Sequence, residues 1–403
     1  MKILLVNKFL YENGGAETYI FRLGNYFKSI GHEVQFFGME NERNIAGNDW
    51  NIFTQNINFH KKSFATLLYP FKILYSPEAR RKMKRIIELF KPDVIHLNNF
   101  NFQITPSIIY EIKKHNIPIF FTAHDYQLIC PNHLLYLPSK SVPCEECHEY
   151  GFSRCVRNNC IHGSKFRSFL GFLESKIYHG LKTYSLIDKI ICPSEFLEKK
   201  FHKKEIFLGK TVMIHNFIQK TAASKTYKKG NYVLYFGRFS REKGIKTLLS
   251  ACKRLPEIQF IFAGGGPLDY LISDIQNIKN VGFLKGDDLV KMVSEACFTI
   301  HPSECYDNYP FAVIESILYN TPVIGADIGG IPEIIENGTN GLLFEPSNED
   351  DLVGKISLLW KNRNMLIELT ANCRKAEFNT PEAYAEKLLE LYNQAISATG
   401  NNR

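Results

Sequence analysis

Short runs of Val, Ile, Leu and Phe recur along the chain, each followed by a longer stretch in which apolar residues return every three or four positions. In the first half the runs are Lys2–Val6, Glu33–Phe37, Asp93–Leu97, Pro118–Thr122 and Lys189–Cys192. In the second half they are Tyr232–Phe236, Gln259–Ala263, Ala296–His301 and Pro322–Ile324. A strand covered on both faces reads as an unbroken apolar run, because both sides of the pleat are buried. The helical stretches between runs supply the crossovers that parallel strands require. Between the first two runs, Ala16, Tyr19, Ile20, Leu23, Tyr26, Phe27 and Ile30 keep helical spacing, and Gly31 stands where a C-terminal cap belongs. The pattern predicts an α/β chain of two Rossmann-like, doubly wound domains. Because such sheets bind ligands beyond their strand ends, the two are expected to face each other across a cleft.

Residues 219–230 are polar and lack periodicity, which reads as a linker. The expected division is a first domain over 1–217, a linker over 218–230 and a second domain over 231–380. The first domain carries a Cys-rich insertion at about 130–160. Pro381–Ile396 reads as an amphipathic helix with Leu388, Leu389, Leu391 and Tyr392, and 381–403 is expected to complete the first domain.

A length of 403 residues suits two or three domains, and 45% hydrophobic with 22% charged residues excludes wholesale disorder. No apolar stretch approaches the ~18 residues of a membrane span. The start, MKILLVNKF, lacks the long apolar run and cleavage site of a signal peptide, so a cytoplasmic location is expected. There the ten Cys would be thiols or metal ligands. The net charge of +8 is uneven: residues 1–210 hold 29 Lys and Arg against 19 Asp and Glu, a balance of +10, and the remainder carries −2. The basic half suits an anionic partner such as phosphates or an acidic membrane surface, or is simply a solubility bias.

Several loops carry candidate chemistry. Asn13-Gly14-Gly15-Ala16-Glu17 follows the first run and opens a helix, where backbone amides can meet a phosphate. It is not GxGxxG, no acidic residue ends the second run, and a tight turn alone would also explain it. Phe236-Gly237-Arg238 and Glu242-Lys243-Gly244 place two cations five residues apart on a strand-to-helix loop, a pair suited to a diphosphate unless both are merely solvated. Gly264-Gly265-Gly266-Pro267 follows another run and is expected to open another helix. The most specific stretch runs from His301 through Asp307 and Asn308 to Glu315. Asp307 falls in a loop, Glu315 lies in the next helix, and both can reach one cleft. One carboxylate can accept from a ribose diol while another faces a sugar.

In this order and at these spacings the motifs resemble glycosyltransferase family 4, retaining enzymes of GT-B architecture. The likeness adds Phe121-Thr-Ala-His124-Asp125-Tyr126, Pro193-Ser194-Glu195 and Gly341-Leu342-Leu343 to the loops above and covers nearly the whole chain. It implies a nucleotide-sugar donor, UDP- or GDP-linked, held mainly by the second domain. Arg238 and Lys243 would hold the diphosphate and Glu315 the ribose hydroxyls. Gly15 would donate an amide to the distal phosphate, and Gly14, Gly265 and Asn308 complete the donor-binding set. His124 would stand beside the donor sugar or the acceptor. Asp307 occupies the first acidic position of the family's Glu-x7-Glu pattern, where it would face the sugar with a reach one methylene shorter than Glu; Glu304 is an alternative. The implied acceptor is a polysaccharide or lipid-linked oligosaccharide of capsule or lipopolysaccharide biosynthesis. No Asp-x-Asp is present, and the two cations can do a metal's work, so no catalytic metal is expected. The rival readings are a nucleotide-sugar epimerase of similar architecture, a zinc-bearing nucleic-acid binder and an inactive transferase serving as a binding subunit. The charge lies on no recognisable recognition helix, so no nucleic-acid partner is expected.

Cys144-x2-Cys147 followed by Cys155-x4-Cys160 has the spacing of a four-thiolate zinc site, and a structural zinc is expected there over the alternative of unligated thiols. Cys130, His148 and His162 are spare ligands. Two basic-aromatic stretches, Phe64–Tyr75 leading into Arg80–Arg85, and Phe166–Leu170, point to peripheral association with the inner membrane face. Taken singly, each could be an amphipathic helix with solvated cations.

Overall fold

Six strands form one parallel sheet and six more form another. The computed structural model describes residues 1–56, 69–219, 227–272 and 275–400. In chain order the strands are β1 (Lys2–Val6), β2 (Glu33–Phe37), β3 (Val94–Leu97), β4 (Ile119–Thr122), the short pair β5 (Tyr136–Leu137) and β6 (Val142–Pro143), β7 (Lys189–Cys192) and β8 (Thr211–Met213). They are followed by β9 (Val233–Arg238), β10 (Phe260–Gly265), β11 (Ile278–Gly282), β12 (Phe298–His301), β13 (Val323–Ala326) and β14 (Gly341–Phe344). The sheet orders are β2-β1-β3-β4-β7-β8 and β11-β10-β9-β12-β13-β14, with β5 and β6 a separate antiparallel hairpin.

The central strands are buried on both faces, as their unbroken apolar runs require: Ile3, Leu4, Leu5 and Val6 of β1 have no exposed surface. Each such side chain contributes about 1.5–3 kcal/mol on burial. Besides the short β5 and β6, three strands of the two large sheets escaped the sequence pattern. Thr211–Met213 has only three residues, and β11 carries exposed Lys279 and Asn280 at a sheet edge, so neither shows the two-sided burial that makes a run legible. Gly341-Leu342-Leu343-Phe344 was read only as a motif.

The chain divides into two compact units. The first holds 1–135, 145–216 and the segment from Pro381, whose helix Pro381–Ala398 buries Tyr384, Ala385, Leu388 and Tyr392. The second holds 136–144 and 217–380. The assignment of the β5–β6 hairpin differs from the sequence boundaries, which left it in the first domain. Its Pro138 carbonyl accepts from Arg241 Nη1 at 3.1 Å, so side-chain contact rather than chain order decides where it packs. Phe217 and Ile218 are already buried, and the linker residues 220–226 lie outside the described residues, as does Phe64–Leu68 of the first basic-aromatic stretch.

Candidate active site

In the second sheet, strand order reverses between β9 and β12, where chain connections diverge to either side and leave a crevice beyond the strand ends. β9 ends in Gly237 and exposed Arg238, and Arg238 pairs in register with Gly265 at the end of β10. The following turn, Arg241–Lys243, closes on Gly244 at φ 69°. A Cβ on Gly244 would stand 1.8 Å from the Pro302 carbonyl oxygen, so only glycine lets this loop lie against the one after β12. Glu304 N–H donates to Glu242 O at 3.0 Å and ties the two together.

That approach delivers Lys243 to Asp307. Lys243 Nζ donates to Asp307 Oδ1 at 2.5 Å, while Asp307 Oδ2 accepts from His301 Nε2 at 2.8 Å and from Ser303 Oγ at 2.5 Å. Burial alone would raise the Asp307 pKa, but Lys243 and His301 outweigh it and hold the carboxyl well below the usual range. Burial likewise works against the Lys243 ammonium, and Asp307 more than offsets that, raising its pKa. Beneath them Tyr235 Oη donates to Arg238 O at 2.7 Å; its pKa is raised by burial and then by nearby Asp307. Both Asp307 oxygens are thus engaged by the protein's own side chains. Glu304, the alternative acid, turns toward Thr247, whose Oγ1 donates to it at 2.6 Å. Glu315 is half-buried in the helix Phe311–Leu318, and Asn308 is half-buried on the loop before it. Tyr235, His301 and Ser303 were not singled out from sequence, although His301 and Ser303 sit inside the stretch that was. The Gly264–Pro267 segment leads among the described residues to the 3-10 turn Asp269–Leu271 rather than the expected α-helix, and Asp269 Oδ1 accepts from Gly266 N–H at 3.2 Å.

The first sheet reverses between β1 and β3. In the loop after β1, Asn7 Nδ2 donates to Phe9 O and to Glu17 Oε1, and Asn7 Oδ1 accepts from Asn99 N–H, which pins the loop to the end of β3. Gly14 and Gly15 are exposed at the start of the helix Gly15–Ser29. Gly14 has φ 177°, ordinary extended backbone, so glycine supplies there the absence of a side chain. His124 follows β4. Its Nε2 donates to Asn98 Oδ1 at 2.8 Å, and Asn98 is oriented by donating its Nδ2 to Val6 O at 3.3 Å. This network assigns the Nε2–H tautomer and makes Nδ1 the acceptor. The Tyr19 ring stands edge-on to His124 at 4.7 Å. Deeper, His96 Nε2 meets Thr122 Oγ1 at 2.7 Å and its Nδ1 meets the Tyr392 hydroxyl. Asp125, next along the chain, is pushed up to about 6 by burial.

Burial lowers both His124 and His96 to about 3. In the unfolded chain each would titrate near the ordinary histidine value of 6.5. Between those pH values the unfolded state binds more protons, so stability is full above about 6.5 and falls as the pH drops toward 3. Each histidine contributes up to about 1.4 kcal/mol per pH unit. Lowering the pH from 7.5 to 5 should therefore cost the wild type more Tm than it costs a His96→Asn variant, and equal losses would contradict the buried, neutral state of His96.

Within the insertion, Cys147, Cys160 and Cys130 all lie near enough to Cys155 to raise its pKa. Cys155 and Cys160 hydrogen-bond to each other, and Cys147 Sγ donates to Phe152 O at 3.9 Å. Cys144 belongs to the segment of the second unit. Among the described residues no three of Cys, His, Asp and Glu are placed to hold a metal ion, and all ten cysteines are outside disulfides. Among the same residues no helix is long and apolar enough to cross a membrane.

Comparison with known proteins places the chain among glycosyltransferases. The family model for Glycosyltransferase Family 4 matches residues 13–221, and that for Glycosyl transferases group 1 matches 216–380. An uncharacterized glycosyltransferase of Methanocaldococcus jannaschii, MJ1178, is 26% identical over 220 residues, 53% of this chain and 60% of that protein, so the chain spans little more than half of that relative. An uncharacterized 42.6 kDa protein in the cps region of Klebsiella pneumoniae is 24% identical over 83% of this chain and 87% of its own. The sucrose-phosphate synthase of Thermosynechococcus elongatus superposes with a TM-score of 0.72 at 18% identity, covering 98% of this chain and 99% of that one. Anabaena HepE, solved with UDP and glucose, superposes with a TM-score of 0.69 at 17% identity, covering 98% and 100%. At these identities the structural likeness speaks for the fold, which is GT-B. With a family model spanning more than half its length and two reversal points built from the loops that carry the motifs, the chain belongs to Glycosyltransferase Family 4.

Proposed function

We propose that this chain transfers a sugar from a nucleotide-sugar donor to a polysaccharide or lipid-linked oligosaccharide, with retention of configuration at the anomeric carbon. The observation that carries the reading is the placement of Arg238 and the Lys243–Asp307 pair on the two loops that flank the reversal point of the second sheet. Two cations there meet the charge that builds on a departing nucleoside diphosphate. Arg238 can hold two phosphate oxygens, and Lys243 adds a compact charge whose position Asp307 sets. Glu315, on the helix that follows, accepts from the ribose hydroxyls.

The donor's C1–O bond breaks toward the diphosphate, the acceptor hydroxyl bonds to C1 on that same face, and its proton passes to the departing phosphate oxygen. Leaving-group stabilisation and positioning then supply most of the acceleration. On the first unit, His124, held neutral by burial, is the residue proposed to stand by a sugar or acceptor hydroxyl. HepE's complex with UDP supports uridine as the first base to test, with guanosine as the alternative. The cps-region relative supports a surface polysaccharide.

A thermal-shift series with UDP, GDP and their sugar conjugates tests the reading. A true donor at about a hundred times its Kd adds roughly 2.7 kcal/mol of stability. No shift with any nucleoside diphosphate would end the proposal. Epimerised donor formed without acceptor would move it to the epimerase reading.

A further inference from the structure

The helix Lys165–Gly180 is built the wrong way round for a surface helix of a soluble unit. Its buried side is Ser168, Leu170, Gly171, Glu174, Ser175 and Tyr178, mostly small or polar. Its large apolar side chains point outward: Phe166 is 60% exposed, Phe169 43% and Ile177 39%, and Leu181 just past its end is 63% exposed. Phe166, Phe169, Leu173 and Ile177 recur at three- and four-residue steps, so they line one ridge.

The charge around that ridge has one sign. Exposed Lys165, Arg167 and Lys176 lie on the helix and Lys182 follows it. The helix's one acid, Glu174, is turned inward, where its Oε1 accepts from Asn101 Nδ2 at 3.0 Å. The neighbouring helix Ser153–Arg157 packs against it and adds Arg154 and Arg157 without an acid. The other basic-aromatic stretch is different. The helix Pro77–Phe90 buries its apolar face, Met83, Ile86, Ile87 and Phe90 among it, and pairs Arg80 with Glu111 at 2.8 Å and Lys82 with Glu78 at 2.6 Å.

We infer that the outer face of Lys165–Gly180 is a docking surface for an anionic lipid bilayer. Apolar rings enter the headgroup boundary while the flanking cations meet lipid charge, each cation adding to the attraction. A solvated protein surface gains nothing from an outward ridge of this kind, whereas a membrane interface covers it.

Vesicle sedimentation of the full chain tests this. Phosphatidylcholine vesicles containing phosphatidylglycerol should bind it at low salt, pure phosphatidylcholine vesicles should not, and added salt should release it. Phe166→Ser with Phe169→Ser should lower binding about a hundredfold, and Lys165→Glu with Lys176→Glu about tenfold or more. Both double variants should keep the wild-type Tm, since these side chains are exposed. Wild-type partitioning by the Phe variant would overturn the inference, as would an absence of wild-type binding to anionic vesicles. Self-association of the wild type that the Phe variant abolishes, without vesicle binding, would reassign the ridge to a second copy of the chain.

Discussion

A Lys243→Ala variant is expected to lose about 10²–10³-fold in kcat, the usual cost of removing one group that stabilises developing charge. It should also melt lower, because Asp307 would keep a buried charge with its nearest cation gone; breaking a buried pair from one side costs about 3–5 kcal/mol. His301 and Ser303 still donate to Asp307, which argues for the lower end of that range. The partner change, Asp307→Asn, separates two roles for the carboxylate. If Asp307 holds Lys243 in place, affinity for the nucleoside diphosphate and for the whole sugar nucleotide should fall together, by about tenfold each, and Asp307→Glu should restore part of both. Titration calorimetry with both ligands decides it. A loss confined to the sugar nucleotide would mean that Asp307 contacts the sugar. The two substitutions share one hydrogen bond, so their effects should not add.

Gly244→Ala is expected to cost about 3 kcal/mol or more of stability in the second unit and to reduce turnover with it. A left-handed residue other than glycine carries about 1–3 kcal/mol of strain, and here the new Cβ would also overlap the Pro302 carbonyl oxygen, 1.8 Å away. Relief requires the Arg241–Lys243 turn to retreat from the loop after β12, which withdraws Lys243 from Asp307. Gly354→Ala is the control. Gly354 lies in the helix Glu349–Lys361 with nothing near its missing Cβ, so alanine there should stabilise by about 0.5–1 kcal/mol. Chemical denaturation of both variants checks the contrast, and equal effects would show that the close approach at Pro302 is not a constraint.

Much of the candidate site was legible because glycines and charges at strand ends are local signals. Arg238 and Lys243 could be singled out as candidates from the strand end and turn that carry them, whereas Glu315, inside a helix, came with the family's spacing. The partnership of Lys243 with Asp307 could not, since 64 residues separate them and nothing in either loop says how far apart β9 and β12 lie. The same holds for His124, whose tautomer depends on Asn98 at the end of a different strand. The cysteines show what spacing leaves open: it states only what can be reached, and whereas Cys147 and Cys160 stand near Cys155, Cys144 belongs to the segment of the other unit.

By itself the sequence determined the two parallel sheets and the loops that carry chemistry, because two-sided burial and helix period are written into neighbouring residues. Only the tertiary structure decided which loops meet, which carboxylate is engaged, and which of two similar basic-aromatic helices turns its rings outward. Those outcomes rest on contacts between segments far apart in the chain, and no local pattern encodes the side of a helix that a distant residue will cover.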